Sequence, residues 1–335
     1  MASPFDIDEI YPDDGDQPLR LPRRQAGSSP QGVTVTLLAD YTLRTRVALP
    51  SAAIVALLAE TGVTTAGART AISRLARRGV LEGSRLGRRS SYRLSRAAAA
   101  NLSAGGQWIL ASTSSTTRWD GSWTIVAFSL PQDHGAQRRS LRAQLRWLGY
   151  APLYDGLWVS PQELTPLARA ELDRLTLGAV TVFRARHAAL ASTVHRAPIE
   201  AWDIEAIGRS YDSFLRRWTP LLPAVVSGRV DGAAAVRTRT ELMDTFRRFP
   251  VLDPQLPVEL LPRDWLRRPA RELFEAVYDG LAAPAERHVR SVVERYADAA
   301  QPGVEAHTTA DLVSGVRADV GPTRPSASGS VTGCS

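Results

Sequence analysis

Nine arginines (Arg69, Arg74, Arg77, Arg78, Arg85, Arg88, Arg89, Arg93 and Arg96) crowd the segment from Thr61 to Arg96, against a single acid, Glu82. The segment carries +8 in a chain whose total is +7, so the remaining residues sum to −1. Guanidinium groups are permanently charged, planar, multidentate donors; the chemistry they offer is the grip of phosphates, not bond making. Basicity confined to one strip is the footprint of a polyanion, and the expected partner is double-stranded DNA.

The pattern inside the strip predicts how that partner is held. Thr61-Gly62-Val63-Thr64 reads as a tight turn, with Gly62 closing one helix and Thr64 or Thr65 capping the next. Ser51 to Glu60, with Ile54, Leu57 and Leu58 on one face, is the preceding helix. From Ala68 to Arg78, helical spacing puts Ala68, Ile72, Leu75 and Ala76 on one side and Arg69, Thr70, Ser73, Arg74 and Arg77 on the other. Two short helices joined by a glycine turn make a helix-turn-helix, whose second helix enters the major groove. The following stretch, Val80 to Leu94, alternates like a hairpin around a glycine-containing, arginine-rich loop, with Tyr92 and Leu94 inward. It is the wing of a winged helix-turn-helix. Arg69, Thr70, Ser73, Arg74, Arg77 and Arg78 are assigned to the reading helix; Arg85, Arg88, Arg89, Ser91 and Arg93 are assigned to phosphates beside it. A plain helical hairpin with a solvated cationic face would explain the charge, but not the order of turn, helix and basic hairpin.

The whole chain reads as α+β and multidomain. Residues 1–28 are acidic and proline-containing, and are expected to be disordered. The winged helix-turn-helix domain spans 29–104, its first helix covering Val33 to Tyr41. Ala97 to Thr117 starts helical and then dissolves into the linker Ser112 to Thr117. A ferredoxin-like βαββαβ domain occupies 118–198, with strands at Trp123 to Phe128, Ala151 to Leu153, Leu157 to Ser160 and Ala179 to Phe183 and helices at Gln137 to Leu148 and Thr165 to Leu177. An all-helical domain covers 199–300, in which Ile207, Tyr211, Phe214 and Trp218 recur on one face. Gly, Ser, Thr and Pro dominate 301–335, predicting a disordered tail.

Catalysis finds no support in these patterns. The five histidines (His134, His187, His195, His288 and His307) show no ligand-like spacing, and the one cysteine is Cys334. No phosphate loop, nucleophile elbow or dinucleotide fingerprint occurs, and no cofactor or metal is implied. No apolar run reaches the ~20 residues a bilayer requires. The acidic start lacks signal-peptide order, so a cytoplasmic, nucleoid-associated location is expected.

Six short stretches, in order, resemble the PaaX-type transcriptional repressors of phenylacetate degradation. They are Ala68 to Leu75, Gly87 to Leu94, Trp119 to Trp123, Leu145 to Gly149, Gly156 to Ser160, and Asp253 to Pro257 followed by Leu261 to Trp265. The resemblance runs from about Gln31 to Ala299 and implies a dimeric operator-binding repressor, released by a coenzyme-A thioester such as phenylacetyl-coenzyme A. The face of Arg138, Arg142 and Arg146 reads first as a solvated helix surface. The alternatives are a contact to flanking DNA phosphates and, on the family reading, a grip on the effector's phosphates, with Trp158 the candidate for its ring although the default for the tryptophans is core. The middle domain also resembles the small CRISPR-associated ferredoxin-like endoribonucleases. The alternative function is therefore a metal-dependent nucleic-acid-processing enzyme. Ser129 stands where those enzymes carry a metal-binding acid, and Asp133 is displaced by four residues, so the enzyme reading is the weaker of the two.

Overall fold

The computed structural model describes residues 29–87, 89–114, 118–129, 135–166, 169–170, 179–188, 196–297 and 303–316. Its first helix, α1 (Pro30–Thr42), is capped by Ser29, which accepts from the Gly32 amide at 3.1 Å, and Pro30 fills the first position, where a missing N–H does no harm. Val33, Val35, Leu37, Leu38 and Tyr41 are all buried and follow no single stripe. Thr34, Thr36, Asp40 and Thr42 are buried as well, so the helix needs cover on every side. Part of that cover comes from α3 (Thr65–Arg77), and part from a helix almost two hundred residues away, α8 (Gly232–Phe246).

Between α1 and α3 lie β1 (Leu49–Pro50) and α2 (Ser51–Glu60). After α3 come β2 (Leu81–Leu86) and β3 (Arg89–Leu94), and the three strands form an antiparallel sheet in the order β1-β3-β2. Helix α4 (Arg96–Ser112) is capped by Ser95, which accepts from the Ala98 amide. A second sheet follows, of order β5-β6-β4-β7: β4 (Ser122–Ser129), β5 (Ala151–Tyr154), β6 (Leu157–Ser160) and β7 (Ala179–Arg186). Helix α5 (Gly135–Trp147) buries Leu141 and Leu145 against Val126 and Trp158 on one face of the sheet. The opposite face carries Trp123, Leu153 and Val159, packed on Trp202 and Leu260 of the C-terminal region. The helix expected over Thr165 to Leu177 falls mostly outside the described residues.

The C-terminal region is helical: α6 (Ile204–Trp218), α7 (Leu222–Val226), α8, α9 (Phe249–Leu252), α10 (Arg267–Gly280) and α11 (Ala282–Glu294). The expected stripe of Ile207, Tyr211, Phe214 and Trp218 is buried as a unit. Phe246 stacks on Phe274 at 4.0 Å, and Phe274 on Tyr278 at 5.1 Å.

One feature was not foreseen in the sequence, and one expectation needs correction. Residues 29–104 and 199–300, read as separate domains, share one apolar core that runs from Val33 to Val293. The boundary is invisible in sequence because the residues that cross it are spread over α1, α8 and α10. Residues 303–316, within the segment read as a disordered tail, form a strap ending in α12 (Thr309–Ser314). Val304 and Leu312 are buried, and backbone donors fasten the rest: Glu305 to the Tyr41 carbonyl at 3.0 Å, Ala306 to Glu286 at 2.9 Å, and Thr309 to Asp279 at 2.8 Å. Isolated apolar anchors with backbone bonding leave no periodicity to read.

Beneath the strap lies a polar cluster sealed from solvent. Tyr278 donates to Asp40 at 2.7 Å and sits 3.3 Å from His307 Nε2, while Arg239 donates to the carbonyls of Tyr278 and His307. Burial raises the Asp40 carboxyl above its usual range, against the pull of Arg239. Burial, then the charge of Arg239, push His307 down to about 3.

Two outcomes are expected. Leu312→Ala should cost about 2–4 kcal/mol in urea unfolding, because Leu312 packs directly over the bare backbone of Gly106. A histidine that binds its proton at 6.5 unfolded but about 3 folded makes the unfolded state the better proton acceptor, so stability is full above 6.5 and drains as the pH falls toward 3. Between pH 7 and 5 the wild type should lose about 2 kcal/mol more than His307→Gln, since Asp40 is present in both. Equal losses in the two proteins would remove His307 from the account.

Candidate nucleic-acid interface

The turn before α3 is built as its residues demand. Gly62 takes φ +86°, where a side chain would be strained, and Thr64 Oγ1 accepts from the Gly67 amide at 3.1 Å to cap the helix. Val63 tucks under the turn. Ala68, Ala71, Ile72 and Leu75 then face the core, which leaves Arg69, Thr70, Ser73, Arg74 and Arg77 exposed together on the outer side. Arg78, at the helix end, is half-buried. The helix is thus locked through one face and presents an acid-free cationic face with the other. No catalytic group is involved; the arrangement can hold phosphates and donate to base edges.

The hairpin departs from the sequence reading in one respect. Gly87 turns it at φ +60°, and Arg85 Nε bonds the Gly87 carbonyl at 3.1 Å, so the tip folds on itself. Arg85 and Arg89 are exposed and Ser91 is half-buried, while Arg88 lies outside the described residues. Arg93, however, sits directly opposite Glu82 across the ladder and bonds it at 2.8 Å. Glu82 also meets Arg46 at 3.3 Å, and Arg46 in turn donates to the Leu94 carbonyl at 3.0 Å. The strip's only acid is therefore an internal counter-ion that ties the hairpin to the segment after α1. Arg93, read from sequence as a phosphate contact, is thus paired with a carboxylate of its own hairpin. Arg46 lies outside the basic strip, and no spacing in the sequence links it to Glu82.

Between α2 and α3, alongside β3, runs an open groove of about 580 Å³. Ser51, Ala52, Val55, Ala56 and Ala59 of α2 line it, with Thr65, Arg69, Ile72 and Ser73 of α3 and Ser90 and Tyr92 of β3. Two members of the reading face thus belong to this groove as well.

Of the effector candidates, Arg138 and Arg142 lie about one turn apart on α5, whereas Trp158 is buried beneath it. Arg138 is half-buried on α5, and Arg142 pairs with Asp155. Trp158 is 1% exposed within the core of the second sheet, and the Arg146 guanidinium lies over its ring at 5.5 Å. Its place under α5 makes it a packing residue rather than a ligand contact. Ser129 ends β4 at the surface, and Asp133 lies outside the described residues. Among the described residues no three His, Cys, Asp or Glu side chains gather into a metal site, and no helix is long and apolar enough to cross a membrane.

The stretch Asp253 to Pro257 proves to be a joint. Asp253 accepts from Tyr211 at 3.0 Å, Trp265 at 2.9 Å and Arg267 Nε at 2.8 Å, all buried or nearly so. Gln255, at φ +55°, donates to the Ala111 carbonyl at 3.0 Å and accepts from Gln162 at 2.7 Å, linking α4 to the second sheet.

A capped helix presenting an arginine face, carried on a larger body with a second sheet and a helical region, defines a DNA-binding regulator. The chain belongs to the PaaX-like family: it matches the PaaX-like protein family at residues 29–98, the PaaX protein central Cas2-like domain at 116–197, and the PaaX-like protein C-terminal domain at 202–291. Transcriptional repressor PaaX of Escherichia coli K12 is 29% identical over 232 residues, covering 65% of this chain and 69% of the relative. Among solved structures, an uncharacterized Mycobacterium tuberculosis protein shares the fold, with a TM-score of 0.50 and 20% identity over 78% of this chain and 99% of that one.

The geometry separates the arginines by expected effect. Arg74→Ala or Arg77→Ala should cost about 1–3 kcal/mol at particular base pairs. Arg85→Ala should weaken all sequences alike and flatten the salt slope by about one unit. Arg93→Ala should change the slope by clearly less than one, since Glu82 already compensates it, and Glu82→Gln should steepen it. Fluorescence anisotropy across a salt series checks all four; a full unit of slope lost in Arg93→Ala contradicts the counter-ion role of Glu82.

Proposed function

We propose that this chain is a transcriptional repressor that binds double-stranded DNA as a homodimer, controls an operon for catabolism of phenylacetate or a related aromatic acid, and leaves its operator when an acyl-coenzyme-A thioester binds. It is a regulator and not an enzyme. The observation that carries the reading is the exposed, acid-free face of α3, with Arg69, Thr70, Ser73, Arg74 and Arg77 together above a buried apolar face. The order β1, α2, α3, β2, β3 supports reading residues 29–104 as a winged helix-turn-helix with α3 in the major groove. The antiparallel order β5-β6-β4-β7, with α5 across one face, supports a ferredoxin-like reading of the middle unit.

One such helix reads only a few base pairs, so two half-sites bound by a two-fold dimer are needed for a specific operator. The middle unit and the C-terminal helices are the surfaces available for pairing, and the cytoplasm is the expected compartment. The effector's phosphates would be met by Arg138 and Arg142 of α5, with Arg142 exchanging Asp155 for the ligand. Release requires that the thioester bind the DNA-free arrangement better; a 100-fold loss of operator affinity corresponds to about 2.7 kcal/mol of coupling, and operator must weaken thioester binding equally.

The test is selection of bound duplexes from a random pool, followed by gel shift and calorimetry with phenylacetyl-coenzyme A, with and without the selected operator. Expected are a two-fold symmetric site, a particle of about twice 36.4 kDa by light scattering, and reciprocal weakening of thioester and operator. A thioester that binds free and DNA-loaded protein equally rejects the effector and leaves the repressor reading standing. A pool from which nothing is enriched rejects the repressor reading itself.

A further inference from the structure

The groove between α2 and α3 has a fourth wall that the DNA-binding segment does not supply. Tyr296, just past the end of α11, lines it together with Arg69 and is 40% exposed. Its position is set by rigid structure. Val289, Val292 and Val293 of α11 are fully buried in the core shared with α1 and α3, and His288 Nε2 lies 2.8 Å from Glu60 at the end of α2. The Tyr296 amide then bonds the Val293 carbonyl at 3.0 Å. The C-terminal helix thus delivers a phenol to the edge of the reading face.

The chemistry of the groove indicates what passes through it. Every polar side chain lining it is a hydroxyl or the Arg69 guanidinium, and none is acidic. Hydroxyl and guanidinium donors interspersed with alanines suit a polyanion that must approach closely. When the second helix of such a pair lies in the major groove, the first crosses the sugar–phosphate backbone. A furrow between the two is therefore where a backbone strand bordering the major groove runs. Tyrosine hydroxyls are regular donors to phosphate oxygens and carry no sequence information in that role.

We propose that Tyr296 is a DNA-backbone contact, so that the C-terminal helical unit forms part of the nucleic-acid surface itself. The inference rests on the DNA-binding reading above. It also gives that unit a direct hold on affinity, because any shift of α11 against α2 moves a backbone contact.

The experiment uses the full chain and its selected operator. Tyr296→Phe, which removes only the hydroxyl, should weaken operator and unrelated duplex alike by about 3–10-fold, with the salt slope unchanged because the contact is neutral. Tyr296→Arg should steepen the slope by about one unit. Phosphate-ethylation interference should lose one sensitive phosphate per half-site in Tyr296→Phe, a change that a merely structural role would not produce. Wild-type affinity and footprint in Tyr296→Phe, with an unaltered slope in Tyr296→Arg, overturn the proposal. If Arg77→Ala still relaxes sequence preference in that case, the DNA-binding reading stands without it; if the wild-type protein selects no DNA, that underlying reading has failed first.

Discussion

The burial of α1 on every side is the constraint on which the rest of the molecule depends. A helix buried on all sides, with Val33, Leu37, Tyr41, Leu38 and Val35 over about half its circumference and Thr36 and Asp40 on the rest, cannot be covered by the two short helices and the hairpin that follow it. It needs α8 and α10 as well, and so the arginine-bearing segment and the C-terminal helices condense around one core. Asp40 then lies where three pieces of chain meet. Its carboxyl is tolerable there because Tyr278 donates to it and Arg239 stands nearby. Such a cluster is sensitive to the loss of any one member, since each buried polar group depends on the others for its partners.

That union bears on the ligand response proposed above. Were the reading helix on a freely jointed domain, a ligand elsewhere would have to act through dimer geometry alone. Here α3 packs on α1, α1 on α8, and the strap of residues 303–316 crosses from Tyr41 to Asp279. A displacement in the helical region has a packed route to the reading face. The second sheet joins the same body through the Trp123–Trp202 stack and the Asp253–Gln255 joint.

Charge on the basic strip is divided by geometry rather than by position along the chain. Arginines on α3 have no acid on their own face, whereas Arg93 and Arg46 share Glu82 and are committed to holding the hairpin. Counting arginines alone overstates what a polyanion meets, and the strand register decides which of them lies beside the strip's acid.

Much of the local structure was legible in the sequence. The Gly62 turn, the threonine cap, the split of α3 into apolar and arginine faces, the hairpin around Gly87 and the stripe from Ile207 to Trp218 all follow from rules that act within a few residues. The family resemblance was legible too, on short stretches, though only the structure shows that Asp253, Gln255 and Trp265 serve as a joint. What the sequence could not supply were contacts between positions far apart: Glu82 with Arg46, Tyr278 with Asp40 and His307, Arg69 and Tyr296 lining one groove, and a tail that looked structureless but fills a seam. Local propensity and periodicity depend on neighbours along the chain. Shared cores, buried ion partners and groove walls depend on which surfaces meet after folding, and that is decided only when all of the apolar area must be covered at once.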